Sequence, residues 1–270
     1  MSMKKIKGKV LSIAGSDSSG GAGIQADIKT ITAMGGYAAT VVTAITAQNT
    51  LGVQEVFEVP IKTIRNQIRS VLSDIGADSI KIGMVSSKET VACIKEELKN
   101  IYIKTPIVLD PVMIAKGGHR LLKTDAEKQL INDLFPIAEL LTPNIPEAEQ
   151  ITKIKISSVN ELLMAGKKII SMGVKNVLMK GGHLEGEKLT DILFIKNKIV
   201  YFENIRIKTD HTHGTGCTLA SSIASGLAQK LSLLESVSRA EKYVFEAIKY
   251  APKIGKGKGP LNHLVNINNK

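Results

Sequence analysis

The chain has 270 residues, 43% hydrophobic and 23% charged, which is enough apolar material for one large α/β domain and too much for a disordered chain. Its 36 Lys and Arg exceed its 25 Asp and Glu by 11 charges, but the lysines are spread along the sequence, Trp is absent and Phe and Tyr number five each, which excludes a base-stacking nucleic-acid surface and leaves a solvated basic one. No apolar run reaches the roughly 18–20 residues that cross a bilayer, and two distant cysteines, Cys93 and Cys217, exclude a disulfide scaffold or a cysteine-rich zinc site.

Taken along the chain, Val10–Ala14 is a short apolar strand that ends in Gly15-Ser16-Asp17-Ser18-Ser19-Gly20-Gly21-Ala22-Gly23. Ile24, Ile28, Ile31 and Met34 follow at helical spacing and stop at Gly35-Gly36. Ala38–Ala47 is a β-branched, apolar strand. Val53–Val59 alternates apolar and polar residues as a half-exposed strand does, and Pro60 opens a helix over Ile61–Leu72. Further strands fall at Ser79–Ile82, Ile107–Leu109, Glu139–Leu141 and Asn176–Met179. Helices fall at Lys88–Leu98, Asp125–Leu134, Pro146–Ile151 and Val159–Met172. Leu189–Ile195 and Lys198–Phe202 flank Asn197 as a hairpin, and Gly214–Leu231 and Leu233–Tyr250 are the last helices.

This order predicts an α/β fold: a mostly parallel sheet covered by helices on both faces, as one domain over residues 1–270. Such sheets bind ligands beyond the carboxyl ends of their strands. Asp17, Gln48, Met84, Asp110, Asn144 and Lys180 all fall just past a predicted strand and are candidates for one shared site. The basic N-terminus precedes an apolar run too short for a signal peptide, so a soluble, cytoplasmic protein is expected.

Four segments could carry chemistry. The glycine-rich loop 15–23 lacks the Lys-Ser/Thr pair of a Walker loop and the spacing of a dinucleotide fingerprint, so it is either a tight turn or a backbone cradle at a helix start. His211-Thr212-His213-Gly214-Thr215-Gly216-Cys217-Thr218 precedes a small-residue helix, and its free amides would form a nest for charge growing on a transferring phosphoryl group. Cys217, in the first turn, is expected to have its thiol pKa lowered by the helix end and to serve as general base; the alternative is a small buried cysteine. Asn144 and Glu147 are either ligands of one Mg²⁺ or a helix cap, and Lys180 is either a phosphate ligand or a surface lysine. No third ligand is spaced to make His211 and His213 a zinc site.

Together the segments 13–27 (IAGSDSSGGAGIQAD), 43–50 (TAITAQNT), 81–84 (KIGM), 110–113 (DPVM), 142–147 (TPNIPE), 180–183 (KGGH), 212–218 (THGTGCT) and 255–257 (GKG) resemble the ribokinase-like superfamily. Within it they resemble the hydroxymethylpyrimidine/phosphomethylpyrimidine kinases of thiamine biosynthesis, in order and over nearly the whole chain. The resemblance implies a three-layer sandwich and a kinase using ATP and Mg²⁺. It would phosphorylate the hydroxymethyl group of 4-amino-5-hydroxymethyl-2-methylpyrimidine, then the monophosphate. It places Gly15, Asp17, Asp27, Gln48 and Met84 around the pyrimidine. Asn144, Lys180, Thr212, His213 and Lys256 would serve ATP, Glu147 and Asp110 the metal, and Gly214, Thr215, Gly216 and Cys217 the anion hole and base. A homodimer is expected by the same analogy, and Ala115–Arg120, rich in Gly and cations, is expected to close over the phosphates.

Most sugar kinases of the superfamily carry Asp where Cys217 stands. Some bacterial pyridoxal kinases share Gly-Thr-Gly-Cys but add a second cysteine after Asp-Pro-Val-Met, where this chain has Ala115. The pyrimidine is therefore favoured over pyridoxal or pyridoxine, and over a non-catalytic pyrimidine- or nucleotide-binding protein on the same fold.

Overall fold

The computed structural model describes residues 5–99, 101, 104–113, 124–196 and 198–265. Its strands are β1 (Lys9–Asp17), β2 (Tyr37–Asn49), β3 (Gly52–Glu58), β4 (Ser79–Ile82), β5 (Ile107–Leu109), β6 (Leu140–Leu141), β7 (Asn176–Met179), β8 (Lys188–Ile195) and β9 (Lys198–Ile205). All nine join one sheet in the order β3-β2-β1-β4-β5-β6-β7-β8-β9. The run from β2 to β7 is parallel, and antiparallel strands close both ends, β3 on one side and the β8–β9 hairpin on the other. The mostly parallel sheet expected from the sequence is present. Asn197, expected between the two hairpin strands, lies outside the described residues.

Alternation along the strands sorts the core into two layers. Leu11, Ile13, Ile80, Ile82, Ile107, Leu109 and Val177 face α2 (Ile61–Asp74), α3 (Lys88–Leu98), α4 (Thr124–Asp133), α5 (Ile145–Thr152) and α6 (Val159–Ser171). Val10, Val108, Leu140, Leu178 and Leu193 face α1 (Gly23–Ala33), α7 (Thr215–Ala228) and α8 (Leu233–Lys249). The strand order reverses at β1, whose neighbours are β2 and β4, and there the crossovers diverge to leave a crevice at the carboxyl ends.

Three strands run several residues longer than the segments that announce them, β9 by reaching Ile205 instead of Phe202. β1 continues through Ser16 and Asp17, with a register shift between Ala14 and Ser16, and pairs those two residues with Ile45 and Thr46 of β2. β2 correspondingly continues to Asn49. The first three residues of the glycine-rich loop, Gly15 to Asp17, are therefore sheet, because parallel pairing satisfies their backbone where the side chains are polar.

One charge pair lies wholly inside. Lys81, between the two core isoleucines of β4, points to the α1/α7 face, and its Nζ donates to Asp27 Oδ2 at 2.9 Å with neither side chain exposed. Ser12 Oγ donates to the same oxygen at 2.5 Å and Ser221 Oγ to Oδ1 at 2.6 Å. Burial opposes the Lys81 charge, but Asp27, Cys217 and Asp110 outweigh it and raise the ammonium pKa above its ordinary value. Replacing one partner would strand the other without solvent. Lys81→Met should thus lose about 3–5 kcal/mol in urea unfolding, and the double variant Lys81→Met/Asp27→Asn should recover part of it. A single variant as stable as the parent would show that the pair does not hold these layers together.

Candidate active site

The crevice is built where two glycine-rich turns meet. Asp17, at the end of β1, accepts from Ser19 N at 2.8 Å and Ser19 Oγ at 2.7 Å on Oδ1, and from Ala22 N at 2.8 Å on Oδ2, so its carboxylate winds the loop into the start of α1. Oδ2 also accepts from His213 Nε2 at 2.7 Å, which ties the loop to the turn before α7. Burial works against the Asp17 charge, but the His213 and Ser19 hydrogen bonds prevail and hold its pKa down to about 2. At the seam the backbones touch: Gly214 has φ +85°, and a Cβ there would lie 1.8 Å from Gly21 O. Only glycine meets both demands.

Gln48 borders the same junction. Its amide lies 3.2 Å from Thr46 Oγ1 and 3.3 Å from His213 Nε2. Thr46 has one hydroxyl proton, which it can give to Ser16 O at 3.0 Å, and His213 Nε2 already donates to Asp17. Both neighbours are satisfied when the Gln48 NH₂ faces Thr46 and its oxygen faces His213. One N–H and the amide oxygen then remain for a ligand.

A cavity of about 850 Å³ opens over these turns. Of the residues singled out from the sequence, Gly15, Asp17, Gln48, Met84, Asp110, Asn144, Glu147, Lys180, Thr212, His213, Gly214, Thr215, Gly216 and Cys217 line it. Met84 closes over Gly15, where a Cβ would come within 2.8 Å of the Met84 sulfur. On the other side Lys180 Nζ donates to Asp110 Oδ1 at 2.9 Å, and Thr142 Oγ1 donates to that oxygen at 3.0 Å. Gly216 lies directly against this ion pair, its missing Cβ 3.2 Å from Asp110 Oδ2 and 3.3 Å from Lys180 Nζ. The amide nest and the lysine thus face one another across a gap that a larger residue would fill.

Asn144 and Glu147 form a reciprocal helix cap: Asn144 Oδ1 accepts from Glu147 N at 2.9 Å, and Glu147 Oε2 accepts from Asn144 N at 2.8 Å. The cap does not remove them from the site, since both still line the cavity. Burial raises the Glu147 pKa to about 7; Lys180 opposes the shift and Asp110 adds to it. Two carboxyls sharing one ammonium in a cavity are an oxygen donor set suited to a hard cation.

Three expectations need correction. Asp27 does not reach the cavity; it is fully buried beneath it, committed to Lys81, Ser12 and Ser221. Lys256 points to solvent because Gly255 and Gly257 pack on Thr50; Lys258, two residues on, is the lysine of this segment that borders the cavity. The Cys217 thiol is not activated by the helix end. It keeps some exposure to the cavity, but burial, with Asp27 and Asp110 nearby, outweighs Lys81 and the Gly23 amide and pushes its pKa up to about 11. Lys81, which was not singled out, lies beneath the cavity with Asp27 and acts on Cys217 through its charge. A lysine inside a four-residue buried strand was the signal that could have found it.

A family model described as phosphomethylpyrimidine kinase matches residues 17–262. The chain belongs to that family. It is 47% identical over 96% of its length to a thiamine biosynthesis bifunctional protein of Geobacter sulfurreducens, of which it spans about half, 53%. It is 46% identical to a hydroxymethylpyrimidine/phosphomethylpyrimidine kinase of Rhizobium meliloti, covering 94% of this chain and 96% of that one. Among solved structures, a phosphomethylpyrimidine kinase of Clostridium difficile is 49% identical, covers 90% of this chain and 100% of its own, and superposes with a TM-score of 0.79. A pyridoxal kinase of Staphylococcus aureus, solved with AMP-PCP and pyridoxal, is 31% identical, covers 98% of this chain and 96% of its own, and has a TM-score of 0.89.

Two measurements test this geometry. Gly214→Ala should lower the melting temperature by an amount worth more than about 1 kcal/mol, through the collision with Gly21 O and the strained φ; melting together with the parent would mean that the seam is not rigid. Site-resolved alkylation of Cys217 should be slow at neutral pH and keep rising through the mildly alkaline range, because the thiolate fraction grows only as pH approaches 11. A plateau near the free-thiol pKa would contradict the burial effect.

Proposed function

We propose that the protein is an ATP-dependent kinase that phosphorylates the hydroxymethyl group of 4-amino-5-hydroxymethyl-2-methylpyrimidine, then the resulting monophosphate, to give the pyrophosphate used in thiamine biosynthesis. The observation that carries this reading is the placing of the Gly214–Cys217 turn against the Asp110–Lys180 pair in one cavity. Gly15, Gln48 and Met84 line the same cavity. Gln48 can offer an amide N–H to a ring nitrogen and its oxygen to the exocyclic amine. The amides and Lys180 are aimed where charge spreads in phosphoryl transfer, a reaction that depends on positioning and electrostatics more than on covalent help.

The same reading assigns Mg²⁺ to Asp110 and Glu147. Among the described residues no cluster of three or more His, Cys, Asp or Glu could hold a metal, which suits an ion bound by one or two carboxylates and the nucleotide phosphates. When bound, Mg²⁺ supplies neutralising charge to those phosphates. Cys217 takes the hydroxyl proton in its thiolate form. Thr212 and Lys258, which also line the cavity, are assigned to the nucleotide, and His213 to the seam beside Asp17 and Gln48. The loop 115–120 expected to close over the phosphates lies outside the described residues. The reading extends to a single-domain, cytoplasmic homodimer; among the described residues no helix is long and apolar enough to cross a membrane, and Ile45, Leu51 and Phe57 leave an apolar face exposed on the β2–β3 edge.

Incubation with ATP, Mg²⁺ and the pyrimidine alcohol should yield the mono- and diphosphorylated products by mass spectrometry, and pyridoxal should react more slowly. The high TM-score to a pyridoxal kinase is the reason to run both substrates. If only pyridoxal is phosphorylated, the pyrimidine assignment fails. Cys217→Ala should reduce kcat by about 10²–10⁴-fold while ATP binding persists, and should abolish the rise of kcat with pH that a base of raised pKa requires. A variant that keeps the parental pH profile would remove Cys217 from the chemistry.

A further inference from the structure

Behind Lys180 lies a second pair of acids that the reaction above does not use. Asp191 of β8 and Glu241 of α8 are both almost fully buried, border the cavity and hydrogen-bond to each other through their side chains. Two carboxylates cannot share a hydrogen bond, so one must carry a proton. The donors on the page say which. Asp191 Oδ1 accepts from Gly181 N at 2.6 Å, a bond suited to a charged oxygen. Glu241 Oε1, by contrast, is buried with no hydrogen-bond partner. An ionised carboxylate with a bare buried oxygen would be costly, whereas the carbonyl oxygen of a neutral acid tolerates it far better. The charged group that faces the pair is Lys180.

The contact with Gly181 has a consequence for that lysine. The backbone of Lys180-Gly181 is held from both sides, by Lys180 N donating to Pro143 O at 3.0 Å and by Gly181 N donating to Asp191. Gly181 also lies so close to β8 that a Cβ would come within 2.1 Å of Thr190 O. We infer that Glu241, as a neutral acid, donates a hydrogen bond to the Asp191 carboxylate while keeping its proton, and that this carboxylate grips the Gly181 amide and aims Lys180 at the nucleotide phosphates. Asp191 and Glu241 are positioning residues. They act through Lys180 and reach the reaction only by way of it. The inference rests on the reading of the Lys180 end as the phosphate end.

The test compares the full-length parent, Glu241→Gln and Glu241→Ala. Gln keeps a donor in place of the acid O–H; Ala does not. The parent-minus-Gln infrared difference spectrum at neutral pH should contain the carbonyl stretch of a protonated carboxyl group. In steady-state kinetics Glu241→Ala should raise KM for ATP about tenfold with a smaller change in kcat, and Glu241→Gln should stay within about twofold of the parent. No protonated-carboxyl band, or equal KM values for Gln and Ala, would overturn the inference. Should the Ala variant not fold, a Gln variant with a KM raised as much as expected for Ala would overturn it equally. A parent that turns over no ATP with either ring substrate would instead refute the proposed function, so the two failures are distinguishable.

Discussion

The site depends on a place where two backbones meet with nothing between them. Gly21 and Gly214 come from opposite ends of the sequence, and the space of a single methyl group separates a working seam from a collision. Asp17 fastens that seam by holding its own loop with one oxygen and sharing the other between Ala22 and His213. Gly214–Cys217 line the cavity from a turn that this contact holds against the first loop. Preorganisation of this kind lets dipoles act on developing charge without having to reorganise during the reaction.

Charge in the site is laid down in layers. The outer layer is Lys180, divided among Asp110, Glu147 and the Asp191–Glu241 pair. The inner layer is Lys81 with Asp27, out of contact with solvent and below Cys217. Before any ligand arrives, Lys180 and Lys81 each already have an anion, and burial drives Glu147, Asp191 and Glu241 toward their neutral forms. A polyanionic ligand entering this cavity exchanges partners for Lys180 and also meets Arg206, a lining residue whose guanidinium donates to the Gly182, Leu184 and Gly186 carbonyls rather than to an acid. This explains how a cavity with so many carboxyls can still accept phosphate.

The sequence made much of this legible, for identifiable reasons. Strands and helices were readable because apolar periodicity switches cleanly between two and three to four residues, and each switch is marked by Gly or Pro, as at Gly35-Gly36 and Pro60. The continuation of β1 into Ser16-Asp17 was not readable, because pairing with β2 comes from backbone geometry and leaves no hydrophobic trace. The glycine turns, Lys180 and Asp110 were readable as strand-end polar groups. Asp27 and Lys256 were misplaced because motif membership does not distinguish a residue that supports a pocket from one that lines it. The Cys217 thiol was misjudged because a helix end is a local feature visible in the chain, whereas the burial that overrides it comes from the packing of β1, β4 and α1 around it. Glu241 sits mid-helix in an otherwise ordinary amphipathic pattern, and nothing nearby in the sequence announces that Asp191 faces it.

The Lys81–Asp27 pair also constrains how a lineage can drift. Because neither group has water to fall back on, either substitution alone meets a stability deficit that the other must relieve. Ser12 and Ser221 are drawn into the same dependency, since both spend their hydroxyls on Asp27. Four positions on β1, α1, β4 and α7 therefore form a single inherited unit, and an escape to an uncharged interior requires concerted replacement rather than stepwise wandering.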